Sequence, residues 1–87
     1  MASAMKVTIK YFASIREAIG QSGELRDTSA TTLLALRDEV LLASPAHAQA
    51  LARGKSVRMA LNQVMSDESA LMTDGCEVAF FPPVTGG

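Results

Sequence analysis

The sequence predicts an α+β domain, a mixed β-sheet with its helices packed on one face. Three patterns carry that prediction. Val7, Ile9 and Tyr11 alternate with Lys6, Thr8 and Lys10, as in a strand with one buried side. Leu33, Leu36 and Val40 recur at helical spacing, with Leu34 and Leu41 widening the stripe. Cys76 to Phe81 is a short β-prone run halted by Pro82-Pro83, neither of which can donate to a ladder.

Taken in order, the first strand runs from Met5 to Phe12. Ser14-Ile15-Arg16-Glu17 fits a capping box, so a short helix is expected from Ser14 to about Ile19, closed by Gly20 in a left-handed C-cap. Gly23 to Asp27 is short enough to pair back on the first strand as a hairpin. The main helix is expected over Ser29 to Ser44, capped by Thr31 or Thr32. Arg37 falls inside its apolar arc. Its stem is expected along the core edge, with the charged head reaching water. Ser44-Pro45 reads as an N-cap followed by proline at the first helical position, opening a second short helix that passes Leu51 and ends near Gly54. Val57 to Leu61 alternates as a strand. Asn62-Gln63 suggests a turn or bulge before a short extended piece at Val64-Met65. Asp74-Gly75 is a strong turn signal before the last strand. The element order is β, short α, β, long α, short α, β, β, β.

Size and composition narrow the function. Eighty-seven residues make one domain, marginal in size but able to fold without staples. Residues 1–4 read as an N-terminal extension, residues 5–81 as the folded domain and residues 82–87 as an extended tail. One cysteine, Cys76, and one histidine, His47, leave no disulfide, no multi-cysteine or multi-histidine metal centre and no convincing Ser-His-Asp triad. A net charge of −1 argues against nucleic acid. No apolar run approaches the ~20 residues of a membrane span, and a reducing, cytoplasmic location is expected.

The ending is the most informative segment. Phe80-Phe81-Pro82-Pro83-Val84-Thr85 leads to Gly86-Gly87. Two prolines after a strand favour a stiff, extended path, and two glycines make a tip slender enough for a channel that admits no Cβ. The six residues from Pro82 reach about 20 Å when extended. The expectation is that the carboxylate of Gly87 is the reactive group and that the domain presents it. A carboxylate must be activated before acyl transfer, typically by adenylation. Neither activation nor transfer asks for a catalytic residue within this chain. A frayed terminus is the competing reading of Val84 to Gly87.

The last strand adds a candidate contact surface. Val78 and Phe80 share one parity, while Glu77, Ala79 and Phe81 share the other. If Val78 faces the core, Phe81 lies exposed beside the tail, and Phe12 has the polar parity of its own strand. Two aromatics on a polar face suggest a partner patch. A bulge turning either ring inward is the alternative.

Asp74-Gly75, the Glu77-Val78-Ala79-Phe80-Phe81 strand and the Pro82-Pro83-Val84-Thr85-Gly86-Gly87 end resemble the small, sulfur-carrying subunit of molybdopterin synthase, the MoaD type. The likeness extends to Lys6-Val7 through Phe12-Ala13 and to Asn62-Gln63, and is weak between Thr28 and Ser56. It implies a ubiquitin-like β-grasp fold. It further implies that Gly87 is adenylated by a ubiquitin-activating-type enzyme, with ATP consumed there, and that a sulfur donor converts it to a thiocarboxylate. The loaded tail, Gly86 included, would enter a large catalytic subunit within a heterotetramer. There its sulfur would pass to cyclic pyranopterin monophosphate during molybdenum cofactor biosynthesis. The resemblance also suggests Met65 as an apolar interface residue beside Phe12 and Phe81, with Pro82, Pro83, Val84 and Thr85 as tail contacts. No stably bound cofactor or metal is implied, and the chain alone is not expected to catalyse. Two departures from the family pattern, Cys76 and the Ser66 to Ala70 loop, lie outside the tail. Other readings are a thiamine-type sulfur carrier, a ubiquitin-like modifier, or an interaction module whose tail has no chemistry.

The remaining polar residues read blandly. Cys76 is expected to be a small buried residue rather than a reactive thiol. His47 is expected to be solvated. Lys10, Arg16 and Arg58 can help meet an acidic partner, but scattered basic residues are usually just solvated.

Overall fold

The computed structural model describes residues 5–52, 54 and 56–82. Strand β1 (Met5–Tyr11) leads through helix α1 (Ala13–Ile19) to β2 (Gly23–Thr28). Helices α2 (Leu33–Val40) and α3 (Pro45–Ala50) follow, then β3 (Arg58–Leu61), β4 (Val64–Ser66) and β5 (Glu77–Phe81). The five strands lie in the order β2-β1-β5-β3-β4, with β1 parallel to β5 and every other neighbour antiparallel. The sheet is therefore mixed, and the first and last strands meet at its centre.

The alternation in β1 does what it predicts. Val7, Ile9 and Tyr11 are buried and pack with Val78 and Phe80 of β5, Met59 of β3, and Leu33, Leu36 and Val40 of α2. Burying each such side chain favours the fold by about 1.5–3 kcal/mol. The hairpin expected of Gly23 to Asp27 is present, and Gly23 is required there. A Cβ at that position would collide with the carbonyl oxygen of Ile9 on the neighbouring strand. Asn62 and Gln63 both take positive φ, 51° and 69°, which is the twist of a tight two-residue hairpin turn between β3 and β4. Gly75 turns the chain at φ 83° into β5, and Asp74 Oδ1 accepts the Lys6 amide at 2.8 Å. Cys76 is buried in the core.

Five expectations need correction. The second short helix stops at Ala50 with Leu51 as its C-cap, short of Gly54. Ser14 does not cap α1. Strand pairing carries on to Phe12, whose carbonyl accepts the first helical bonds from Ile15 N and Arg16 N, so Phe12 is the N-cap and Ser14 lies inside the helix. The main helix is shorter than Ser29 to Ser44. Thr28 Oγ1 takes the Ala30 amide, Thr32 bridges Leu71, and Thr32 then caps Ala35 N at 3.2 Å, holding the chain extended until Leu33.

Arg37 does not send its head to water. The residue is 3% exposed, with Nε donating to Leu51 O at 2.9 Å and Nη2 to Ala52 O at 2.6 Å. The C-terminal end of α3 has carbonyls without helical partners, and the guanidinium satisfies them. Nη1 also pairs with Glu68 at 3.4 Å.

His47 is not solvated. It packs edge-on against Tyr11 with ring centroids 5.9 Å apart, and Nδ1 lies 2.7 Å from Ser44 Oγ. Ser44 Oγ also caps the His47 amide, confirming the Ser44-Pro45 helix start. Nε2 lies 3.6 Å from Glu24, whose carboxylate also accepts the Tyr11 hydroxyl at 3.0 Å. A lone histidine in sequence carries no sign of Tyr11 and Glu24 as neighbours, because they come from β1 and β2.

Candidate functional site

The candidate site is the open face of the sheet where β5 ends. Phe12 follows β1 directly, and its backbone is held on both sides. Its amide donates to Phe80 O at 3.2 Å, and its carbonyl starts α1. Phe81 is the last residue of β5. The two rings stack with centroids 4.7 Å apart and planes 9° from parallel. Neither ring turns into the core. Phe12 stays 37% exposed and Phe81 is half-buried, so an aromatic pair stands on the surface at the root of the tail.

Register extends the face across the sheet. Lys10 pairs with Ala79, Ala79 with Ala60, and Ala60 with Met65, and all four point away from the helices. Ala60 and Ala79 are buried yet stand apart from the helix-side core cluster. Their small side chains make a low floor between the Phe12–Phe81 pair and Met65, which is 55% exposed. Sequence parity expects both phenylalanines outside the core, and the family resemblance suggests Met65 beside them; the structure leaves Phe12 and Met65 exposed and Phe81 half-buried. The alanine floor is not legible there, since alanine is ordinary in any strand.

Pro82 is half-buried and borders a mainly apolar groove with Ile15, Ala18, Ala50 and Val57. Pro83, Val84, Thr85, Gly86 and Gly87 lie outside the described residues. Among the described residues, no group of three His, Cys, Asp or Glu side chains is placed to hold a metal ion. No helix among them is long and apolar enough to cross a membrane.

On the opposite, helix-covered face, charged groups act as struts. Arg26 Nε donates to Glu39 at 2.7 Å, and Thr28 Oγ1 donates to the same carboxylate at 2.6 Å. Burial pushes the Glu39 carboxyl up, but the hydrogen bonds from Thr28 and Arg26 prevail and leave it below its ordinary range. Burial first, and then the Glu24 charge, push the Tyr11 phenol above its usual range.

The comparisons with known proteins agree with this architecture. The model of the ThiS family matches residues 9–87. The molybdopterin synthase sulfur carrier subunit of Escherichia coli K12 is 40% identical over 81 residues, covering 93% of this chain and 99% of that protein. Among solved structures, SAMP1 from Haloferax volcanii superposes with a TM-score of 0.76 at 24% identity, covering 94% of this chain and 99% of that one. The complex of subunits 1 and 2 of the molybdopterin-converting factor from Helicobacter pylori contains a chain that superposes with a TM-score of 0.67 at 24% identity, covering 95% of this chain and 100% of that one. The mixed sheet, the helices and these structural neighbours are those of a ubiquitin-like β-grasp, and by the span of its family match the chain belongs to the ThiS family.

Proposed function

We propose that this chain is the sulfur carrier subunit of a molybdopterin synthase. The observation that carries the reading is the 40% identity that runs along 99% of the Escherichia coli sulfur carrier subunit. The geometry supports it. An exposed aromatic pair stands where β5 gives way to the tail, so docking the sheet face orients the tail that follows.

The chemistry resides at Gly87. Its carboxylate oxygen attacks the α-phosphate of ATP on a ubiquitin-activating-type enzyme, forming an acyl-adenylate and releasing pyrophosphate. Sulfide released by a sulfur donor then attacks the acyl carbon, AMP leaves, and a thiocarboxylate remains. The thiocarboxylate enters the large subunit, where its sulfur passes to cyclic pyranopterin monophosphate and water attacks the acyl carbon to restore the Gly87 carboxylate. Gly86 keeps the tip thin, and Pro82 to Thr85 set its reach. Phe12, Phe81 and Met65 form the apolar centre of the docking face. Two small subunits on a dimer of large ones make the working heterotetramer.

Intact mass after incubation with ATP, the activating enzyme and a sulfur donor tests this. The expected result is a gain matching replacement of one oxygen by sulfur, absent when Gly87 is deleted. No gain under conditions that load a known carrier would overturn the reading. An unmodified tail that still binds a partner would leave the chain an interaction module.

A further inference from the structure

The cations of the described chain divide into two groups. Lys6, Lys10, Arg26 and Arg37 each have a carboxylate within ion-pair distance. Arg16 and Arg58 are exposed and pair with no carboxylate among the described residues. The two are far apart in sequence but not in the fold. Arg58 is the register partner of Phe81 on β3. Arg16 donates its amide to the Phe12 carbonyl and lines a groove with Phe12 and Lys10 on the β2 side of β1. The order across the root of the tail is therefore Arg16, Phe12, Phe81, Arg58, with a free guanidinium on either side of the aromatic stack. Beyond Arg58 the same face continues to Met65.

We propose that Arg16 and Arg58 form a cationic bracket that takes carboxylates bordering an apolar pocket on the tail-accepting large subunit. The proposal rests on the sulfur-carrier reading, because it places the bracket on the face that delivers the tail.

Charge supports this occupant. The chain as a whole carries −1, so its two unpaired described cations are an exception to its balance, and both stand at the aromatic stack. Guanidinium is weakly hydrated and offers a planar fork that fits a carboxylate with two parallel bonds. Arginine beside aromatic residues is the composition that dominates binding energy in protein interfaces. Exposed charges around such a patch chiefly speed correct encounters and reject partners of like charge. Asp67 and Glu68 line the groove that Arg58 enters, yet neither lies within ion-pair distance of it. Among the described residues, Arg58 thus has no carboxylate partner.

The test is stopped-flow association of the full chain with the large subunit, at ~20 mM and ~500 mM salt, so that screening is weak in one and strong in the other. The variants are Arg16→Glu, Arg58→Glu and the double change, with Lys6→Glu as a control of equal charge change at the far end of β1. Both arginines are exposed, so circular dichroism should show the fold intact. At low salt each reversal should slow association about tenfold, and the double change more, with the differences shrinking at high salt. Lys6→Glu should stay within about twofold of the unaltered chain. Reversals that match Lys6→Glu would overturn the bracket while leaving the carrier reading standing. Reversals that change sedimentation of the isolated chain, with unaltered partner kinetics, would assign the arginines to a second copy and also overturn it. An unaltered chain that neither binds the large subunit nor gains sulfur would remove the carrier reading and the bracket together.

Discussion

Two aromatic pairs occupy the same strand ends and differ in almost everything else. Tyr11 and Phe80 stack on the helix-covered face with centroids 6.1 Å apart. Phe12 and Phe81, one residue further along each chain, stack on the open face at 4.7 Å. Phe80 is fully buried, with 0% exposure, whereas Phe12 keeps more than a third of its surface. A strand sends consecutive side chains to opposite faces, so a single aromatic dipeptide serves both layers. The inner pair contributes to holding β1 and β5 together at the centre of the sheet. The outer pair is held in place by that pairing and leaves its apolar surface exposed. In the proposed carrier, recognition would therefore rest on the centre of the sheet rather than on a loop.

Single substitutions should separate the two pairs. Phe80→Ala should cost about 3–5 kcal/mol of stability in chemical denaturation, since it opens a cavity among fully buried neighbours. A loss below about 1 kcal/mol would break the division of labour. Phe81→Ala should leave the denaturation midpoint nearly unchanged yet weaken binding to the large subunit by about 2 kcal/mol, a central aromatic anchor being lost. Titration calorimetry of the two variants side by side reads the contrast directly. Ala60→Leu should sharpen it further. Raising the floor between Met65 and the stack should lower affinity about tenfold while the fold persists, because only the open face gains bulk.

The smallest effects are those of pH on the helix-covered face. The Glu39 carboxyl sits below its ordinary range because of Thr28 and Arg26, against the upward push of burial. A lowered folded value gives stability that is present above the ordinary carboxylate range and lost as pH falls through the folded value. Thermal midpoints of the unaltered chain should therefore fall in acid, and Glu39→Gln should flatten that arm. The Tyr11 phenol shifts the other way, raised by burial and by Glu24. Its contribution is present below the ordinary phenol range and is lost as pH rises through the folded value. Tyr11→Phe should remove that alkaline loss, at the cost of the hydrogen bond to Glu24. Binding through the open face should follow neither arm if the two faces act separately.

Much of the fold was legible because its signals are local. Alternation in β1, the glycine C-cap at Gly20, the Ser44-Pro45 helix start and the Asn62-Gln63 turn each depend on a few adjacent residues. All appear as expected. The capping box at Ser14 failed because a longer-range bond intervened. Pairing of Phe12 with Phe80 carries the strand past the point where a local rule would begin the helix. Arg37 failed for a similar reason. Its place in the apolar stripe was visible, but the carbonyls of Leu51 and Ala52 that receive its head lie just past the end of another helix. The candidate site divides along the same line. Strand parity placed Phe12 and Phe81 outside the core, but their stacking needed the parallel register of β1 and β5.

The sequence by itself determined the order and type of the elements and the apolar sides of the strands and helices, because periodicity and turn chemistry act over a few residues. Only the tertiary structure decided that Arg16 and Arg58 bracket one aromatic stack, that two alanines form its floor, and that Arg37 and His47 turn inward. Those facts depend on which strands become neighbours, and that is settled by burying one face of the whole sheet at once.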